Sequence, residues 1–466
     1  MGEPAHRAEP DLGEHRPRTV RTTHFPTTTE SVRQIVLAAR SQKTPLYPLS
    51  TGRNWGMGSR SPVVDDCTVL DLSGMNIVRT LNLDEGYAVI EPGVTQRQLS
   101  ELLAGTPWML NVTAGCADAS IVGNTLERGD GTIRARSEDL LGVEVVLGTG
   151  EIMTTGGLDR HGLRSGAIAG PDLTRAFVQS NLGIVTAMAI SLIPRPDAIK
   201  LIHATFADKA LGPVLEAMIR VGRSRIPTNG LLRLKEIFVV PEGGSPAVPE
   251  SADPGSVTVQ VPLLGSQPDV ENAERDIRTV FHAVTELKTF RAIDSASTPE
   301  TDDLYDRARF AHGIPSCAPL RAGMRVDDCA QVDASPVGWL MFLPTVPLRR
   351  ASLLEAIDLM RIESEAHRTA AMLEFNVISQ HSTNMVTQIP FVREPASIER
   401  AHALRRAARK SFLRAGFPPY RSNIDQEPLE LADRSVDFQD GPLSELKRLC
   451  DPDGIIAPGR YVVAER

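Results

Sequence analysis

The run Ser50-Thr51-Gly52-Arg53-Asn54-Trp55-Gly56-Met57-Gly58-Ser59 places three glycines and an arginine within ten residues. Glycine lets successive backbone N–H groups turn to one side, and such nests suit the oxygens of a phosphate, to which Arg53 would add charge. The same composition suits a tight turn between strands, and on these residues alone both readings stand. A second stretch, Thr113-Ala114-Gly115-Cys116-Ala117-Asp118-Ala119-Ser120-Ile121-Val122-Gly123-Asn124-Thr125-Leu126, is dominated by small residues. Backbone that lies against a flat ring or a pyrophosphate needs small residues, although a loop leading into a short helix uses them too. Neither stretch follows the strand–GxGxxG–helix order of Rossmann units, so that reading falls away. The histidines are dispersed, with no His-x-x-x-His pair. Cys67, Cys116, Cys317, Cys329 and Cys450 are odd in number and widely spaced. No metal site is expected on these spacings, and the thiols read as reduced cysteines of a cytoplasmic protein.

The elements that must hold these stretches are legible in outline. Thr28 or Thr29 caps a helix carrying Val32, Ile35, Val36 and Ala39. Leu46 to Leu49 is a short strand that runs directly into the first glycine stretch. Further strands are expected at Thr68–Leu72, Ala88–Glu91, Val143–Leu147 and Gly183–Ile193, with a turn at Thr149-Gly150-Glu151 and a helix from Thr95 to Leu103. Pro194-Arg195-Pro196 interrupts the pattern and marks a domain boundary. Beyond it, helices are expected over 206–221, 270–287, 353–368 and 398–415. Strands are expected over 231–240, 257–264, 339–343, 374–379 and 384–389, and an exposed loop over 243–255. This mixture predicts an antiparallel sheet covered on one face by helices, an α+β organisation.

The chain has 466 residues, 41% of them hydrophobic and 23% charged, which is ordinary globular composition but too long for one core. A net charge of −8, with arginines interleaved among acids, argues against nucleic acid as a partner. The amino-terminal residues lack the apolar segment of a signal peptide, and no stretch approaches the ~20 apolar residues of a membrane span. A soluble, cytoplasmic protein without a membrane partner is the expectation.

The order of motifs then resembles one family. Pro48-Leu49-Ser50-Thr51-Gly52-Arg53-Asn54, Glu91-Pro92-Gly93-Val94 and Val122-Gly123-Asn124-Thr125-Leu126-Glu127-Arg128-Gly129 are followed by Gln179-Ser180-Asn181-Leu182-Gly183-Ile184-Val185-Thr186. Tyr420-Arg421 and Asp453-Gly454-Ile455-Ile456-Ala457-Pro458-Gly459-Arg460-Tyr461 close the series. Together they are similar to the FAD-binding domain of the vanillyl-alcohol oxidase and p-cresol methylhydroxylase family.

That resemblance implies a two-part FAD-binding domain and an antiparallel-sheet cap domain covered by helices. The bounds are a disordered tail at 1–18, FAD-binding domain at 19–196, cap at 197–415, and a returning segment at 416–466. It implies that Ser50, Thr51, Gly52, Arg53 and Asn54 hold the FAD pyrophosphate. Gly115, Ala119, Ser120, Gly123 and Asn124 would line pyrophosphate and flavin, Pro92 would sit by the adenine, and Gly183, Ile184 and Arg460 would complete the cofactor site. Leu340 occupies the position of the side chain that tethers flavin in some members, so non-covalent FAD is implied. Met57 stands where phenol oxidases carry a tyrosine, whereas the other two members of that phenolate clamp match Tyr420 and Arg421. Arg421 would also favour the anionic reduced flavin. Tyr420-Arg421 would otherwise be an ordinary surface pair.

Glu127 matches an acidic position near the reactive flavin nitrogen. A carboxyl buried there would have a raised pKa suited to proton transfer; the alternative is pairing with Arg128 or Arg134. In the cap, His312 and His381 are candidates for the pocket wall, or else structural histidines. The expected activity is hydride transfer from a small organic substrate, aromatic or a specialised metabolite, to FAD. O2 or another acceptor would reoxidise the flavin, and a homodimer is the candidate assembly. The alternative is a flavin-containing protein that sequesters a small molecule with little turnover.

Overall fold

The computed structural model describes residues 6–7, 11–113, 115–159, 162–163, 170–224, 226, 228–242, 253–294, 296–425 and 441–461. The first unit begins with the helix Thr29–Gln42. Thr28 and Ser31 form a reciprocal capping box, and Lys43 ends the helix in the left-handed conformation at φ 51°. Its buried Val32, Val36 and Ala39 pack on a small sheet in which Cys67–Asp71 lies between Thr19–His24 and Leu46–Leu49, parallel to both. A second sheet is antiparallel, in the order Val78–Asn82, Tyr87–Ile90, Gly183–Ser191, Leu140–Leu147, Ile152–Thr154. Its central strand Gly183–Ser191 is buried over all but its two end residues, so it reads as a nearly continuous apolar run.

The carboxyl-terminal segment closes this unit. The helix Pro442–Cys450 carries Lys447, whose buried ammonium donates to Asp451 Oδ2 at 2.6 Å, Asn181 O at 2.6 Å and Ile456 O at 3.1 Å. With all three donors used, the buried charge is tolerated. Leu46 N then bonds Ile455 O, and Ala457 N bonds Leu46 O, both at 2.7 Å. The last residues are thereby tied to the strand that feeds the first glycine loop.

After the expected break at Pro194-Arg195-Pro196 the chain builds the second unit. Its sheet runs Leu287–Ile293, Ala198–Ala207, Ser256–Gly265, Arg233–Val239, Ala371–Val377, Ser382–Val392, Val337–Pro347, Pro419–Arg421, with every pairing antiparallel. Helices Leu211–Arg223, Gln267–His282, Arg350–His367 and Pro395–Arg414 contribute to one apolar core with this sheet. The expected cap architecture is therefore observed.

Three details correct the sequence reading. Strands Ala198–Ala207 and Leu287–Ile293 were not anticipated; residues assigned there to helix starts and ends pair instead with neighbouring strands. Residues 11–18 are not a loose tail. Leu12 is fully buried and its carbonyl accepts from Trp339 N, while Arg393 bonds Glu14 and Asp11. The segment after 415 first adds the edge strand Pro419–Arg421 to the cap sheet and only then, at Ile424, enters the core of the first unit. Most of the expected 243–255 loop lies outside the described residues.

Candidate active site

A cavity of about 700 Å³ is lined by both glycine-bearing stretches, the cap sheet and the carboxyl-terminal segment. That volume lies within the ~300–1,000 Å³ of small-molecule and cofactor pockets. The 50–59 loop owes its shape to Gly52, Gly56 and Gly58, at φ +69°, +72° and +122°, values that residues with a Cβ rarely adopt. The second stretch closes on the first: Ser120 N bonds Thr51 Oγ1 at 3.2 Å, and a Cβ on Gly123 would strike Ser50 Oγ. Ser120 caps the short helix Ile121–Leu126 through Gly123 N and gives its own proton to Pro92 O at 2.6 Å. Arg53 bonds Asp118 O, so its guanidinium holds the second stretch in place.

Ser50, Thr51, Gly52, Arg53, Asn54, Pro92, Gly115, Ala119, Ser120, Gly123, Asn124, Gly183, Ile184 and Arg460 all line this cavity, as do Met57, Glu127, Tyr420 and Arg421. Three expected pocket residues do not. Leu340 is fully buried in the core beneath the cap helices, because along the strand Val337–Pro347 it is the alternate residues Val337, Trp339, Met341 and Leu343 that face the cavity. A one-residue slip in matching a strand exchanges its faces. His381 sits exposed between the strands Ala371–Val377 and Ser382–Val392. His312 caps the helix Tyr305–Ala311, where burial holds its pKa down and Nε2 lies 3.7 Å from Asp294.

Glu127 has a different setting from the one expected. Arg460 Nη2 donates to Oε1 at 2.6 Å, Tyr461 Oη donates to Oε2 at 2.5 Å, and Arg421 Nη2 lies 3.4 Å from Oε2. Burial opposes ionisation, but Arg460, Arg421 and the Tyr461 hydroxyl outweigh it, and the carboxyl is held below its ordinary value rather than raised. Neither Arg128 nor Arg134 is its partner. Arg421 Nη2 also donates to Asn54 Oδ1 at 3.0 Å, so the clamp joins the glycine loop, the Glu127 turn and the carboxyl-terminal segment.

Asp130 was not singled out as a site residue. Its Oδ2 accepts from Asn376 Nδ2 at 2.7 Å and Asn384 Nδ2 at 2.6 Å, while buried Oδ1 has no partner. Burial raises its pKa; the two amides and Arg233 pull it back, and Glu374 adds to the rise. Tyr420 beside it donates to Arg128 O at 2.8 Å, and burial together with Asp130 pushes its phenol pKa up. The cap wall also carries charge. In the strand Arg233–Val239 the register shifts between Leu234 and Ile237, and Glu236 has φ +63°. This bulge places both Lys235 and Glu236 on the cavity wall, beside Arg233. Lys235 pairs with Glu374 at 3.2 Å and Arg307 with Glu236 at 3.0 Å; Arg233 Nε lies 3.9 Å from Glu374, and buried Arg307 Nη1 has no hydrogen-bond partner among the described residues. The only local sign of this wall in the sequence is the density of charge on two strands, Arg233-Leu234-Lys235-Glu236 and Glu374-Phe375-Asn376.

Two glycine-shaped loops that close on one another, at a cavity roofed by an antiparallel cap, define an FAD-binding oxidoreductase. Residues 21–156 match the FAD binding domain family. The chain is similar to 1'-carboxy-chondrochloren decarboxylase of Chondromyces crocatus, 30% identical over 95% of this chain and 92% of that protein. It is similar also to the flavoprotein subunit of 4-cresol dehydrogenase [hydroxylating] of Pseudomonas putida, at 26% over 93% and 86%. The structure of p-cresol methylhydroxylase with substrate bound shares the fold, with a TM-score of 0.83 at 24% identity over 95% of this chain and 89% of that one. The chain belongs to the vanillyl-alcohol oxidase/p-cresol methylhydroxylase family of FAD-linked oxidoreductases. Among the described residues no helix is long and apolar enough to cross a membrane.

Proposed function

We propose that the protein holds FAD without a covalent bond and uses it to oxidise a small phenol-type substrate that carries a carboxylate. The observation that carries this reading is Asp130: a buried carboxyl in the cavity wall, with one oxygen fixed by two amides, the other unpartnered, and a tyrosine hydroxyl beside it. The site fits the cofactor. Gly52 and Gly123 permit backbone approach where a Cβ would be strained or would collide, and Asn124 Oδ1 is buried with no hydrogen-bond partner among the described residues. Gly52→Val should weaken FAD binding by about 10- to 100-fold, since a β-branched residue at φ +69° costs about 1–3 kcal/mol. Flavin fluorescence quenching on titration into the apoprotein measures this.

FAD supplies a two-electron acceptor for a hydride leaving the substrate carbon next to the ring. Asp130 takes the phenolic proton, and the protonated Tyr420 hydroxyl beside it is a hydrogen-bond donor for the phenolate oxygen. Arg421 and Arg460, held by Glu127, place fixed positive charge along the same cavity. Phe238, Trp339, Met341 and Leu343 give it an apolar wall. Arg233, Lys235 and Arg307 outnumber Glu236 and Glu374 on the cap, with Asp130 facing Arg233, and the buried Arg307 Nη1 is the donor open to an anionic group.

That cationic wall, with the name of the relative from Chondromyces crocatus, favours a second reading in which oxidation is coupled to decarboxylation. The hydride leaves the carbon next to the ring, the electron pair of the bond to the carboxylate forms a carbon–carbon double bond, and CO2 departs. Anaerobic mixing with 4-alkylphenols and with 3-(4-hydroxyphenyl)propanoate tests both readings. Bleaching of the flavin band without CO2 supports simple dehydrogenation, and bleaching with one CO2 per flavin reduced supports the coupled reaction. No bleaching across the panel rejects both. Acid precipitation should leave the yellow colour in the supernatant; a yellow pellet would reject non-covalent attachment.

A further inference from the structure

Cys116, Cys317 and Cys329 come from three distant parts of the chain, yet their sulfur atoms all lie within 4.8 Å of one another. Cys116 belongs to the second glycine stretch. Cys317 immediately precedes the helix Ala318–Met324, and Cys329 begins the short helical turn Cys329–Ala334. The Cys116 and Cys317 sulfurs are 3.3 Å apart. Cys116 and Cys329 are buried, whereas Cys317 is partly accessible, so the cluster has one open side. Leu12, Leu320, Met324 and Val332 surround it.

We propose that these three thiols form a binding site for a thiophilic d10 cation, with Zn2+ as its representative, that ties the cofactor loop to the cap. Three sulfurs on one zinc at ~2.3 Å stand about 3.8–4.0 Å apart, so the observed cluster needs only small shifts to close on an ion. Burial pushes the Cys116 and Cys329 thiols up, so an ion would have to displace their protons, and two donors nearby favour the thiolate form. Asp118 N donates to Cys116 Sγ at 3.4 Å, and the Arg97 guanidinium lies 3.6 Å from Cys317 Sγ. Three thiolates on Zn2+ leave one negative charge, which Arg97 is placed to balance. Arg97 binds Asp118 Oδ1 at 2.7 Å, and Asp118 Oδ2 lies 3.6 Å from Cys317 Sγ, beside the fourth position. A disulfide would use only two of the three sulfurs and would need an external oxidant, whereas metal binding uses all three and releases only protons.

The consequence is mechanical. Leu320, Gly323 and Met324 line the cavity, and the helix that carries them begins at Cys317. An ion held on Cys116, Cys317 and Cys329 would fix this helix against the loop containing Gly115 and Ala119, and so set access to the cavity.

The test uses the full-length, reduced, FAD-loaded protein and does not depend on turnover. Titration with Cd2+ should give thiolate-to-metal absorption in the ultraviolet saturating at one equivalent, and elemental analysis after dialysis against Zn2+ should find one zinc per chain. Cys317→Ser and Cys329→Ser should each lose that equivalent while keeping native circular dichroism and flavin content; Cys450→Ser should retain it. Zn2+ should also protect Cys116, Cys317 and Cys329 from maleimide labelling, read by peptide mass spectrometry. The proposal is overturned if the reduced protein takes up no stoichiometric metal, or if the two serine variants bind it as well as wild type. It is equally overturned if the isolated protein carries a Cys116–Cys317 disulfide that forms again in the presence of zinc.

Discussion

Asp130→Asn is expected to slow flavin reduction by substrate by about 10²- to 10⁴-fold while leaving FAD bound, the usual range for loss of a positioned acid or base. The substitution keeps size and hydrogen bonding nearly constant. Its amide oxygen can still accept from Asn376 and Asn384, which hold Oδ2 at 2.7 and 2.6 Å in the native protein. What it removes is the capacity of the buried Oδ1 to take a proton. The pH dependence follows in sign. Burial raises the Asp130 pKa above the ordinary aspartate value of 3.8. A base works only when ionised, so the wild-type reduction rate should rise with pH through an ionisation displaced upward from that value. In Asp130→Asn this limb should vanish. Stopped-flow reduction at several pH values measures both effects. An unchanged rate would remove Asp130 from the chemistry and leave it as a brace between Asn376 and Asn384.

Glu127→Ala is expected to act on stability and cofactor retention first. Removing one partner of a buried ion pair leaves the other charge uncompensated, at a cost of about 3 kcal/mol or more. Here two guanidiniums lose their carboxylate, Arg460 at 2.6 Å and Arg421 at 3.4 Å, with side chains only 7% and 15% exposed, and keep only neutral partners in Tyr47, Tyr461 and Asn54 among the bonds described. The melting temperature should fall and FAD should dissociate more readily. Replacing Arg460 by methionine in the same chain should restore part of the loss. The sign with pH is that of a depressed carboxylate: the contribution is full above the ordinary glutamate value and is lost as pH falls through the lowered folded value. The acid limb of the thermal stability profile should therefore flatten in Glu127→Gln. If Glu127→Gln instead abolishes flavin reduction with unchanged melting temperature and FAD affinity, the residue transfers a proton and the clamp reading fails.

Between them these two residues show how far sequence could reach. Glu127 is recognisable from the run Gly123-Asn124-Thr125-Leu126-Glu127-Arg128-Gly129, because the motif is one unbroken stretch of sequence. Its charge state is not recognisable, since Arg421, Arg460 and Tyr461 lie some three hundred residues away in the chain. Asp130 is only three residues beyond Glu127, yet its meaning comes from Asn376 and Asn384 on cap strands. Reading those strands for facing side chains from sequence requires the register, and Leu340 shows what a one-residue error does.

What the sequence determined by itself is the set of locally encoded features: the capped first helix, the strand feeding the glycine loop, and the order of cofactor motifs that implied FAD. Each rests on neighbouring residues, whose periodicity and backbone preferences act within a few positions. Tertiary structure alone decided the rest. It drew the 11–18 segment into the cap, reversed the expected shift at Glu127, used a bulge to present Lys235 and Glu236 together, and gathered three cysteines whose spacing spelled nothing. The physical reason is that charge state, strand face and ligand geometry depend on distances through space, and widely separated residues acquire those distances only when the chain has folded.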